Sequence, residues 1–125
     1  MKKAENSGKI KEMKTAEYIR NKIIKNGPVW KENKLEIHLN KRKRLGHIPD
    51  NWTAEDYNLK IIDILEDVNL EFYKYYMDGF DQVYYVFGLP NWVVIVGENG
   101  IMETAFEVDR KSYNDYLNLE DGILV

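Results

Sequence analysis

Four short apolar runs follow one another in the second half of the chain: Leu70–Tyr76, Gln82–Phe87, Trp92–Val96 and Ile101–Phe106. They are rich in Val, Ile, Tyr, Phe and Trp, side chains that pack well on a pleated surface. Between them stand Asp78-Gly79, Gly88-Leu89-Pro90-Asn91 and Glu98-Asn99-Gly100, all turn-forming sequences. Connections this short join antiparallel neighbours, so residues 70–107 predict a four-stranded meander.

The first half has a different period. Ile10, Met13, Ile19, Ile23 and Ile24 recur at helical spacing from Ser7 to Asn26, with Tyr18 flanking the stripe. Gly27-Pro28 stops that helix, and the polar residues 1–6 are expected to fray. A second helix opens at Thr53-Ala54-Glu55-Asp56, a capping-box pattern with Asp in place of Glu. Its buried stripe runs through Tyr57, Ile61, Ile64, Leu65 and Val68, and Asn69 ends it. The segment between these helices is ambiguous. Leu35, Ile37 and Leu39 alternate with Glu36, His38 and Asn40, which suggests an extended piece, yet Leu35 and Leu39 also sit four apart, as in a helix. A short amphipathic stretch at Ser112–Leu119 is a candidate last helix. Residues 7–68 are thus mostly helical and precede the strands. Two N-terminal helices on a four-stranded antiparallel sheet make an α+β layer fold. The helices cover one face, and the other is left to form a cleft.

The chain has 125 residues, which is the size of one domain. It has no cysteine, so disulfides, a thiolate nucleophile, cysteine-ligated zinc and iron–sulfur clusters are excluded. No apolar run is long enough to cross a membrane, and the N-terminus lacks the apolar core of a signal peptide. The net charge of −3 conceals two opposed halves. Residues 1–50 hold 14 Lys/Arg and 6 Asp/Glu, a balance of +8; residues 51–125 hold 4 and 15, a balance of −11. Such asymmetry fits either a nucleic-acid-binding face or two oppositely charged elements packed together.

No sequence motif for a phosphate loop, dinucleotide fold, zinc protease or EF-hand is present, and no metal site is expected. The informative feature is local. His38, Lys41, Arg42, Lys43, Arg44 and His47 fall within ten residues, and they include both histidines of the chain. Imidazole moves protons near neutral pH, guanidinium binds phosphate bidentately, and lysine adds point charge. Histidine beside a basic run suits RNA cleavage without a metal: a base takes the ribose 2′-hydroxyl proton, an acid protonates the departing 5′-oxygen, and cations hold the pentavalent phosphorus. The plainer reading is a surface or structural imidazole beside a solvated basic face. A second feature is Gly100-Ile101-Met102-Glu103-Thr104-Ala105-Phe106. In a regular strand Met102, Thr104 and Phe106 share one face, and Ile101, Glu103 and Ala105 the other. Thr104 is either a core filler or a hydroxyl donor aimed at a phosphate oxygen.

The stretches Glu36-Ile37-His38-Leu39, Lys41–Arg44, Gly46-His47-Ile48-Pro49, Trp52–Tyr57, Trp92–Val96 and Gly97–Phe106 resemble the barnase–EndoU–colicin–RelE group of small ribonucleases. The closest likeness is to phage-borne members and to toxin domains of contact-dependent inhibition systems. It covers about residues 29–107. It implies an endoribonuclease that needs no metal or cofactor, acting in the cytoplasm on RNA, with tRNA a candidate. It also implies His38 and His47 as acid and base, Arg44 or Lys43 as phosphate ligand, and Thr104 as hydroxyl donor. Lys41, Arg42 and Tyr85 are further substrate-binding candidates. A cognate immunity protein is a candidate partner, for which the acidic half offers a surface. That acidity is unusual in a protein that must track a phosphate backbone. It fits the alternative reading, a non-catalytic immunity, inhibitor or phage accessory protein.

Overall fold

A computed structural model of the chain describes residues 15–77, 82–108 and 123–124. The expected helix start at Ser7, the Asp78-Gly79 turn and the Ser112–Leu119 helix lie outside the described residues. The fold is α+β, with three helices N-terminal to an open antiparallel sheet.

Helix α1 occupies residues 15–26 of the described chain. Ala16, Ile19 and Ile23 form its buried stripe. Gly27 closes it in the left-handed region, at φ 88°, and donates its N–H to the Ile23 carbonyl.

Helix α2, Lys34–Arg44, replaces the extended piece that alternation suggested. Leu39 and Arg42 are its buried residues, Leu35 is half-buried and Ile37 is exposed. The 35–39–42 spacing therefore prevails over the 35–37–39 alternation. Two further features favour helix. The run Lys41–Arg44 fills the last turn, where cations suit the helix dipole. Gly46, at φ 74°, then ends the helix in a Schellman motif: its N–H reaches the Lys43 carbonyl and the His47 N–H reaches the Arg42 carbonyl.

Helix α3, Ala54–Leu65, starts with the expected capping box. Asp56 N–H donates to Thr53 Oγ1 at 3.2 Å, and Thr53 N–H donates to Asp56 Oδ2 at 2.9 Å. Tyr57, Ile61, Ile64 and Leu65 are buried as expected, but Val68 is 94% exposed because the helix has already ended.

The strands are β1 Glu71–Met77, β2 Gln82–Leu89, β3 Trp92–Gly97, β4 Met102–Glu107 and a two-residue β5, Ile123–Leu124. The first four form the meander; β5 joins the free side of β1, giving the order β4-β3-β2-β1-β5. One face packs on the helices through Phe87, Trp92, Val94, Val96, Met102 and Ala105. The other is not an open cleft: Tyr73, Tyr84, Val86, Val93 and Ile95 are buried in a second cluster.

The register shifts between β3 and β4. Ile95 pairs Thr104, but Val96 pairs Met102, so Glu103 is an extra residue. The bulge corrects the expected grouping of faces. Met102 joins Ala105 in the helix-side core, while Thr104 and Phe106 belong to the opposite face.

Candidate active site

The basic helix α2 lies against β4, the edge strand of the sheet. At an edge, a side chain on the far face of the sheet remains within reach of a neighbouring helix. His38 of α2 meets Thr104 of β4 in this way, with Nδ1 3.1 Å from Oγ1 across 66 residues of sequence. The His38 ring also lies beside Trp30, with centroids 5.3 Å apart. Trp30 is held in turn: its indole N–H donates to Asn58 Oδ1 at 2.9 Å, and its ring lies 5.8 Å from that of Tyr57.

Arg42 is one turn further along the same helix face. It is 4% exposed, with its guanidinium carbon 5.2 Å from the centre of the Phe106 ring. The Schellman turn carries His47 back over the last turn of α2, and Arg42 Nη1 lies 3.2 Å from His47 Nδ1. This motif commonly brings an apolar pair together at its two ends; here the pair is Arg42 and His47. One helix and its cap thus place two imidazoles around one guanidinium.

Both histidines bind a proton less readily than free imidazole. Burial is the main cause for His38, followed by the positive charges of Arg42, Lys41 and Lys34. For His47 burial again leads, with Arg42 adding to it and Glu107 opposing. Tyr57, buried beneath the cluster, has its hydroxyl pushed up to about 12, chiefly by burial. That hydroxyl donates to the Ala105 carbonyl of β4.

The other expected site residues are distributed differently. Lys41 is exposed on the His38 side of α2. Arg44 is exposed and lies six residues beyond His38, about 240° round the helix, so it points away. Lys43, half-buried, is about 140° round. Arg42 is enclosed between a histidine and a phenyl ring, a positioning place more than a surface phosphate contact. Tyr85 is 5% exposed within the helix-side core and presents no ring face to a substrate. Sequence reading missed Trp30, Tyr57, Phe106 and Glu107. Each reads there as an ordinary apolar or exposed residue, and only tertiary packing brings them to the histidines.

Two cavities among the described residues lie elsewhere. One of about 400 Å³ separates α1 from the β3–β4 turn, lined by residues such as Tyr18, Lys22, Val29 and Asn99. Another of about 360 Å³ adjoins the end of α3, beside Asp63, Glu66, Asp67 and Trp92. Among the described residues no helix is long and apolar enough to cross a membrane, and no three His, Asp or Glu side chains are grouped to hold a metal ion.

No curated protein and no solved structure gives a significant match to the chain. A family model described as "Uncharacterised protein aq_aa01" matches residues 23–124, a span that takes in α2, α3, the sheet and every residue of the histidine cluster. The chain belongs to that family.

Proposed function

We propose that the chain is a metal-independent endoribonuclease that cleaves RNA by 2′-hydroxyl transesterification, tRNA being the candidate substrate. The observation that carries this reading is the 3.1 Å approach of His38 to Thr104, with Arg42 linking His47 to the same helix face. Imidazole is suited to proton transfer near neutral pH. Lys34 and Lys41 supply positive charge beside His38, where a phosphate would bind. In the reaction an imidazole removes the 2′-hydroxyl proton, the 2′-oxygen attacks phosphorus, the P–O5′ bond breaks and the departing oxygen takes a proton.

The test is incubation of the purified chain with total tRNA in EDTA. Fragments ending in a 2′,3′-cyclic phosphate are expected. Intact tRNA, or cleavage that appears only with added divalent metal, refutes the proposal. His38→Ala is expected to lower the rate by ~10²–10⁴-fold, the usual contribution of a positioned acid or base.

A second reading, a non-catalytic immunity or inhibitor protein, draws support from the acidic side. Asp63, Glu66 and Asp67, together with Lys60, line one side of a hollow at the C-terminal end of α3. Carboxylates are unfavourable at a helix C-terminus, by about 0.3–1 kcal/mol each, so their placement there suits a charged partner. This reading predicts no RNA cleavage by the parent chain.

A further inference from the structure

The two histidines have nitrogen partners of different chemistry. His38 Nδ1 faces a hydroxyl, which can donate or accept a hydrogen bond. His47 Nδ1 faces a guanidinium, which can only donate. The His47–Arg42 hydrogen bond therefore requires a lone pair on His47 Nδ1, which leaves the ring proton of neutral His47 on Nε2. Protonating Nδ1 would set one N–H against another and lose the bond. His38 is under no such constraint. With Nδ1–H donating to Thr104 Oγ1, its Nε2 can gain and lose a proton while that bond stays unchanged.

We infer that the histidines divide the work: His38 is the imidazole that carries the proton, and His47 is a fixed hydrogen-bond donor, locked by Arg42 as the Nε2–H tautomer. Arg42 is then a positioning residue. The assignment of jobs rests on the ribonuclease reading above, whereas the tautomer does not. In the cleavage step the 2′-oxygen bonds to phosphorus, and the P–O5′ bond breaks with its electron pair on O5′. The 2′-hydroxyl proton passes to His38 Nε2. Water protonates O5′, and the hydroxide so formed takes the proton back from His38. His47 Nε2–H bonds a phosphate oxygen throughout and changes no protonation state.

The charged groups around the two rings agree with this division. His38 is faced by Arg42, Lys41 and Lys34 of α2, and by the neutral Thr104 and Trp30. His47 is faced by Arg42 of α2 and by Glu107 of β4.

The test uses the full chain labelled with ¹⁵N-histidine. Long-range ¹H–¹⁵N spectra are recorded from pH 5 to 8, and the two rings are assigned with His38→Gln and His47→Gln. Neutral His47 is expected as a single tautomer with its proton on Nε2. A proton on Nδ1, or a mixture of tautomers, overturns the inference whether or not the protein cuts RNA. In Arg42→Met, with folding checked by its melting curve, both tautomers are expected; a single tautomer there overturns Arg42 as the lock. Cleavage gives the second readout. His38→Gln is expected to lose ~100-fold or more. His47→Gln, whose amide keeps a donor, is expected to stay within about tenfold of the parent, the scale of one altered neutral hydrogen bond. Equal losses in the two variants overturn the division of roles. A parent chain that leaves tRNA intact removes the ribonuclease reading, and the spectra still decide the tautomer.

Discussion

At Tyr57 one hydroxyl ties two layers of the fold together. The side chain is fully buried, and its O–H donates to the Ala105 carbonyl of β4. Tyr57→Phe leaves that carbonyl without this donor, so a loss of about 1–3 kcal/mol is expected in urea unfolding. The histidines set the response to pH. Each has its proton affinity lowered on folding, so the unfolded chain binds protons first as pH falls. Their contribution to stability is complete above the unfolded value near 6.5 and is lost as pH drops through the lower folded values. Melting temperatures measured down to pH 5 should show this decline, and His38→Gln combined with His47→Gln should flatten it. The same shift governs the proposed cleavage. A base must be neutral to act, so the acid limb of the rate profile is expected below pH 6.5, and Lys41→Ala is expected to move it upward. Thr104→Val is expected to slow cleavage less than His38→Ala, since it removes a partner of the imidazole and leaves the ring in place. The sequence showed which residues carry titratable chemistry at this scale. It could not show that Arg42 would be buried between His47 and Phe106, because that depends on where β4 lies relative to α2.

Among the elements, α2 was the hardest to read and matters most. Three alternating apolar residues imitate a strand over a length too short to decide. The decisive contacts, of Leu39 and Arg42, come from another part of the chain. Gly46 was the missed local signal. Its positive φ permits the Schellman turn that sets His47 over Arg42. A Cβ at Gly46 would meet no atom within 4 Å, so Gly46→Ala suffers only the backbone penalty of the left-handed region, about 1–2 kcal/mol. The expected result is a lower melting temperature together with a disturbed His47 imidazole spectrum. By contrast, the capping box of α3 was legible in full, because all its atoms lie within four consecutive residues. The β3–β4 bulge was not. A period of two carries no record of an inserted residue, and the position of Thr104 depends on that insertion.

For the whole molecule, the layered α+β arrangement and the meander followed from the change of period near residue 70 and from the turns between the strands. The second buried face did not, since its burial depends on which parts of the fold come to lie over it. The location of the candidate site also escaped local reasoning: it is at the margin of the sheet, not in a hollow on its face. That margin has one more consequence. The Met102 amide of β4 donates to the Val29 carbonyl, and its Ala105 carbonyl accepts from Tyr57. Each main-chain group of a border strand that is already engaged is one fewer for a passing chain to pair with. On the side that carries the histidines, two of the groups that an incoming strand would need are thus already taken.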